Sequence, residues 1–404
     1  MLNSPAPMHS PKRAAATPAA DHPVVTPGAS LHDTLPQPTD GAGPGFPLRE
    51  QVLLAPYTTF GIGGPARWFA SVATEQQLAA ACQWARRQGL PLFVLGGGSN
   101  VLVADSGFAG LVLHIALLGV QTTHDDAAGT TTFAAAAGED WDALVARSVG
   151  AGCAGMECLA GIPGTVGGTP VQNVGAYGQE VAQCITSVRC YDREGDCFVC
   201  FPNEQCGFAY RTSRFNTAPD RGRYVVTSVE FALHPGAAPS LAYADVQRFF
   251  ADRTTTPSLP EVAEAIRTIR RAKGMVIDNA AQPARDPDTR SAGSFFKNPV
   301  VAETLYRSIA ASVAPANTPS YPAPAATDGS PQRKLPAAWL LEQAGFPKGF
   351  RMAGAAISSK HTLALTNHSG EATAAEVIAL RDALATGVKL RFGVQLEQEP
   401  ISVG

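Results

Sequence analysis

No run of about 18 apolar residues occurs anywhere in the 404-residue chain, which excludes a membrane-spanning helix. Residues 1–20 are broken by prolines and carry no apolar core segment, so they do not read as a signal peptide. Basic clusters are missing as well. The 31 Lys and Arg stand against 34 Asp and Glu and are scattered, a balance that points to neither nucleic acid nor a membrane surface as partner. Paired cysteine knuckles of the kind that hold structural zinc are also absent. Cys197-Phe198-Val199-Cys200 has ligand spacing, with Cys190 and Cys206 available to complete a set. In a long chain without an export signal, however, these residues and Cys82, Cys153, Cys158 and Cys184 read as compact, reduced apolar residues, and no metal is expected. Residues 1–46 lack tryptophan and tyrosine but hold nine of the 32 prolines, so they cannot bury enough surface to offset ordering and are expected to be disordered. No internal repeat is found. The expectation is a soluble cytoplasmic protein of two or three domains.

What is present is alternating helix and strand. Thr74-Glu75-Gln76-Gln77 is a capping box, followed by Leu78, Ala81, Cys82 and Ala85 at helical spacing and closed by Gly89. Pro91 to Leu95 reads as a buried strand. Trp141, Leu144, Val145 and Ser148 mark a second helix face, and Val262, Ile266 and Ile269 a third that ends in Arg270-Arg271-Ala272-Lys273. Thr373-Ala374-Ala375-Glu376 caps a last helix with Val377, Leu380, Leu384 and Val388 on its apolar face. A second Pro/Ala-rich stretch, 314–336, reads as a long loop. The fold class is α+β with mixed sheets.

Two glycine-rich segments carry the chemistry. In Gly96-Gly97-Gly98-Ser99-Asn100 a strand runs into glycines that let the backbone approach a ligand and aim N–H groups at an anion. A pyrophosphate fits there, and a tight structural turn fits equally well. The segment is neither a Walker loop nor a Rossmann fingerprint. Leu159-Ala160-Gly161-Ile162-Pro163-Gly164-Thr165-Val166-Gly167-Gly168, continuing to Asn173-Val174-Gly175-Ala176-Tyr177-Gly178, sets its glycines among apolar residues, unlike a polar linker. It suggests a rigid wall for a flat ligand, with a glycine-rich barrel corner as the alternative.

Together these segments resemble the flavin-binding signatures of the UDP-N-acetylenolpyruvoylglucosamine reductase (MurB) family. Tyr57-Thr58-Thr59-Phe60-Gly61-Ile62-Gly63-Gly64 is similar to that family's opening motif, with Thr58 in place of asparagine. Tyr210-Arg211-Thr212-Ser213, Gly293-Ser294-Phe295-Phe296-Lys297-Asn298-Pro299 and Leu396-Glu397-Gln398-Glu399 extend the resemblance over nearly the whole folded chain. Departures are Ala209 in a glycine position and Pro400, which denies an N–H to any sheet and puts the pose of Glu399 in question. Segments 276–290 and 314–333 read as insertions.

The resemblance implies an FAD-binding fold of the vanillyl-alcohol oxidase (PCMH) type plus a C-terminal α+β substrate-binding domain. Its boundaries would be a tail over 1–46, FAD subdomains over 47–115 and 116–255, a substrate domain over 256–390, and 391–404 returning to the active site. It implies non-covalent FAD, held by Gly96, Gly97, Gly98, Ser99, Asn100, Ile162, Pro163, Gly164, Val166, Gly167, Gly168, Asn173, Gly175, Ala176 and Tyr177. It also implies NADPH as co-substrate, bound alternately with a UDP-sugar, in a monomeric enzyme. Ser294 would donate the proton, while Arg211 and Glu399 would stabilise an enolate, Glu399 in protonated form or through a water. Tyr243, Arg270, Lys273 and Asn298 would contact diphosphate and carboxylate. Tyr321 would be the mobile tyrosine of one subclass. Two rivals remain: a sugar or alcohol oxidase of the same fold class, and a flavin-fold binding module without activity. The first expects a histidine for flavin attachment, yet the first histidine after the tail is His114; the second expects Ser294, Arg211 or Glu399 to be lost.

Overall fold

A computed structural model describes residues 45–277, 286–313 and 318–404. The disordered tail expected over 1–46 lies outside these residues except at its end, where Phe46 is buried and packs edge-on against Trp84 at 6.1 Å. Parts of the two insertions, 278–285 and 314–317, also lie outside the described residues.

Phe108–Ile115 is the centre of the first sheet. It is parallel to Pro65–Val72 on one side and to Leu92–Leu95 on the other, and Arg49–Leu53 adds an antiparallel edge. Its Leu111, Val112 and Leu113 are all fully buried, as a parallel strand covered on both faces requires. Val112 faces Phe69, Leu95 and Val403, while Leu111 and Leu113 face the capped helix Glu75–Arg87. Thr74 accepts from Gln77 N–H there at 3.2 Å, and the buried face is Leu78, Ala81, Cys82 and Ala85. The second sheet is antiparallel, in the order Cys197–Pro202, Ile185–Asp192, Tyr224–Pro235, Thr130–Ala136, Val120–Asp125. Strict alternation of burial along Thr130–Ala136 turns one face of it to the core shared with the first sheet.

The helix Leu259–Ala272 does not pack where the expected boundary at 256 would put it. Val262, Ala263 and Ile266 join the core that holds Trp141 and Leu159, and Arg267 clasps Asp142 of the helix Trp141–Gly150 through two hydrogen bonds of 2.8 and 3.1 Å. Its apolar stripe thus belongs to the body built by the first two sheets. The C-terminal body begins after it. There the antiparallel sheet Ser291–Ser294, Ala364–Asn367, Ala355–Ile357, Arg351–Met352 packs with Ala337–Gln343 and Ala374–Phe392 around Leu340, Leu365, Leu380 and Leu384. Asp105, from the first body, accepts from Ala374 and Ala375 N–H at 2.7 and 3.0 Å, capping the last helix across the boundary.

The chain then doubles back. Ile401–Val403 pairs in parallel with Val101–Val103, directly after the first glycine loop. Pro400 does no harm to this return. Glu399 N–H donates to Phe295 O and Ile401 N–H to Asn100 O, both at 2.9 Å, so proline occupies the position between the two donors, where no N–H is needed.

All eight cysteines are free, six of them buried, with Cys197 and Cys200 exposed. Among the described residues no helix is long and apolar enough to cross a membrane, and no group of His, Cys, Asp and Glu is placed to hold a metal.

Candidate active site

A cavity of about 1040 Å³ lies between the two glycine segments and reaches into the C-terminal body. The segments nearly touch. A Cβ on Gly97 would stand 2.7 Å from Gly164 Cα, and one on Gly98 would stand 1.9 Å from the Tyr57 carbonyl oxygen, with φ at +61°. Only glycine lets the walls close this far. The opening motif serves the same junction, because Thr59 donates to the Ser291 carbonyl at 2.6 Å and so ties the first body to the strand that carries Ser294.

Gly96, Gly97, Gly98, Ser99, Asn100, Ile162, Pro163, Gly164, Gly167, Gly168, Gly175, Ala176 and Tyr177 all line this cavity. Val166 and Asn173 do not. Val166 is fully buried in the core behind the wall. Asn173 is spent on the protein itself, donating to Glu180 at 2.9 Å and to the Ala209 carbonyl at 3.2 Å and accepting from Ala182 N–H. It braces the wall and the loop that carries Arg211. Asn173, Tyr177 and Arg211 hold φ values of +45°, +49° and +55°, strain of the sort that persists where surrounding structure enforces it.

Ser294, Arg211, Glu399, Tyr243, Arg270 and Lys273 line the same cavity. Arg211 Nε stands 3.0 Å from Glu399 Oε1, but the Nε–H does not point along that line, and this buried Nε has no hydrogen-bond acceptor among the described residues. The contact is Coulombic. Burial pushes the Glu399 carboxyl above its ordinary pKa, and the attraction of Arg211 and Lys297 only partly opposes it. Lys273 donates to Asp245 at 2.8 Å and lies 5.5 Å from the Tyr177 ring centroid. Burial disfavours its charge, but Asp245 and the nearby phenols outweigh that and hold its pKa above the ordinary value. Arg270 is buried, with its guanidinium donating to the carbonyls of Gly161 at 3.0 Å and Met275 at 3.1 Å. Burial disfavours its charge and Tyr177 and Asp142 oppose that, but no carboxylate is within ion-pair distance of it among the described residues, and a buried cation in that state suits an anion.

Two expected contacts are not brought to the wall. The side-chain oxygen of Asn298, in the segment between Ser291–Ser294 and the strand Val300–Ala302, accepts from Ala337 N–H at 2.9 Å at the start of the helix Ala337–Gln343. Tyr321 is 52% exposed on the two-residue strand Tyr321–Pro322, paired with Lys334; it does not line the cavity, although its phenol acts on that of Tyr243, which does. Conversely, sequence reasoning missed His361, whose Nε2 is 3.4 Å from Ser294 Oγ. Burial, then the charges of Lys273, Lys348 and Arg270, depress its pKa to about 4. No motif marks it; it comes from a turn whose only signal is the run of short polar residues around it.

Residues 66–200 match the model of the FAD binding domain, and residues 282–403 match that of the UDP-N-acetylenolpyruvoylglucosamine reductase C-terminal domain. The reductase of Thermobifida fusca is 45% identical, covering 87% of this chain and 97% of its own length. That of Streptomyces coelicolor is 44% identical, covering 87% and 89%. The chain belongs to the UDP-N-acetylenolpyruvoylglucosamine reductase family. The solved family member from Thermus caldophilus superposes with a TM-score of 0.57 at 27% identity, over 88% of this chain and all of that one. The fold is accordingly an α+β FAD-binding fold followed by the C-terminal domain that marks the reductase family.

Proposed function

We propose that the protein reduces UDP-N-acetylglucosamine enolpyruvate to UDP-N-acetylmuramate, with NADPH as electron source and non-covalent FAD as carrier, in peptidoglycan precursor synthesis. The observation that carries this reading is the convergence of Ser294, Arg211 and Glu399, from three separate segments, on one cavity walled by the two glycine loops. The residues fit a flavin. Glycines leave room for a flat ring system, while buried Arg270 and the unaccepted Arg211 Nε–H supply charge and a donor for the anionic groups of a substrate laid against it.

When bound, the flavin supplies the hydride that adds to the terminal carbon of the enolpyruvyl double bond. Negative charge then gathers on the carboxylate side of the substrate, where Arg211 stabilises it. Glu399, its pKa raised, serves as a neutral hydrogen-bond donor, since an ionised carboxylate there would oppose the charge it faces. Ser294 gives its hydroxyl proton to the neighbouring carbon. Tyr243, Lys273 and Arg270 hold the diphosphate and carboxylate, with Asp245 keeping Lys273 charged. We assign 47–277 and the strand Ile401–Val403 to the flavin body and 286–400 to the substrate body. The enzyme works as a cytoplasmic monomer on a small UDP-sugar, without nucleic acid.

The test is NADPH oxidation by the yellow protein with and without UDP-N-acetylglucosamine enolpyruvate, with oxygen monitored. Oxidation that needs the substrate and consumes no oxygen is the expected result. Oxidation that ignores the substrate and consumes oxygen would replace the reductase with an oxidase.

A further inference from the structure

An alcohol that surrenders a proton near neutral pH needs its hydrogen aimed at the acceptor and its oxygen stabilised afterwards. Among the described residues Ser294 Oγ has one side-chain partner, His361 Nε2 at 3.4 Å. The histidine is fixed from several sides. Its backbone N–H donates to Ser358 Oγ at 3.1 Å and its carbonyl accepts from Ala364 N–H at 3.0 Å. Ala364 is the residue paired with Ser294 across the sheet, and Phe295 N–H donates to the Leu363 carbonyl at 2.7 Å. Serine and imidazole are therefore set by the same strand register.

The ring's surroundings decide its charge. The groups acting on it are all cationic: Lys273, Lys348 and Arg270. Carboxylates on neighbouring elements are engaged elsewhere, Asp286 with Lys360, Asp288 with Ser359, and Glu342 with Thr362. With burial added, the imidazole is neutral throughout the physiological range and carries a single N–H. A bare Nε2 would draw the serine hydrogen to itself, which suits a nucleophile and defeats an acid. An Nε2–H does the opposite.

We propose that His361 is a positioning residue for Ser294: its Nε2–H donates to the serine oxygen, turns the hydroxyl hydrogen into the cavity and stabilises the oxyanion left behind. This rests on Ser294 being the proton donor. In the step, the Oγ–H bond breaks and a C–H bond forms at the substrate. The O–H electron pair stays on Oγ against the imidazole N–H, and water restores the proton when product leaves. The neutral ring gains and loses no proton.

The experiment uses full-length holoenzyme under anaerobic stopped flow, reading flavin reduction by NADPH and flavin reoxidation by UDP-N-acetylglucosamine enolpyruvate separately. The variants are His361→Leu, His361→Gln, Ser294→Ala and the double variant His361→Leu/Ser294→Ala. The leucine variant, lacking the donor, should reoxidise roughly 10²- to 10³-fold more slowly with unchanged reduction. Glutamine, whose amide N–H reaches the same place, should recover most of that loss. In the Ser294→Ala background, leucine at 361 should cost no more than about twofold, because paired groups are not additive. Equal losses for leucine and glutamine, or a full leucine penalty without Ser294, would overturn the positioning role. Wild-type reoxidation by Ser294→Ala would instead overturn the donor reading, and this role with it. If His361→Leu retains no flavin, His361→Met is the non-donor comparison.

Discussion

Glu399 Oε1 faces Arg211 Nε at 3.0 Å inside the cavity, and the carboxyl is nonetheless pushed above its ordinary pKa because burial outweighs the neighbouring charge. The pair is thus poised between an ion pair and a neutral acid beside a cation. If the neutral acid is the working form, the substrate-reducing step is fastest below the raised pKa and falls as pH climbs through it. Glu399→Gln keeps a neutral donor and should remove that inflection with a modest loss of rate. Glu399→Ala should cost about 10²- to 10³-fold in kcat. A pH–rate profile of flavin reoxidation in the three proteins checks this.

Gly97 has no room for a side chain. A methyl group there meets Gly164 at 2.7 Å, so the two walls must part. Gly97→Ala should weaken flavin binding at least about tenfold, because the wall spacing that orients a bound ring is lost. Titration of the stripped protein with FAD, followed by fluorescence quenching, measures it. Unchanged affinity would show that the walls do not close on the flavin.

Lys273 is assigned to a phosphate or carboxylate that stays charged through the reaction. Lys273→Met should therefore raise KM for the UDP-sugar about 10- to 100-fold and leave kcat within a fewfold, the mark of binding shared equally by ground and transition states. Steady-state kinetics separate the two constants.

Asp192, which does not itself line the cavity, is gripped by Arg223 through two hydrogen bonds of 2.6 and 2.9 Å, and its pKa falls to about 2. A carboxylate depressed in the folded state contributes stability that is complete above its unfolded value, near 3.9, and that disappears as pH falls toward 2. Asp192→Asn should lower stability at neutral pH and narrow its gap from wild type between pH 4 and 2. Urea unfolding across that range gives the comparison.

The glycine segments and the motif around Ser294 were legible in sequence because close approach and local turns leave local marks. Helix faces such as Val377, Leu380, Leu384 and Val388 were legible for the same reason. Side-chain direction was not. Asn173 and Asn298 stand inside recognisable motifs, yet tertiary neighbours claim their polar atoms for Glu180, Ala209 and Ala337. The helix Leu259–Ala272 showed its periodicity but not its partner, which depends on where Trp141 and Leu159 lie in space. His361 has no motif, since its relation to Ser294 exists only through the register of two paired strands. Pro400 looked disruptive because sequence alone cannot say which of three consecutive N–H groups a fold will use.

The return of Ile401–Val403 to Val101–Val103 has a consequence in time as well as in space. A ribosome delivers Gly96 to Asn100 long before Glu399. Until then the nascent chain can shape its flavin body but lacks both the strand beside Val101–Val103 and the carboxyl opposite Arg211. The machinery is closed only once Glu399 to Val403 have been made, so a product truncated before Glu399 is a scaffold without a complete reaction centre.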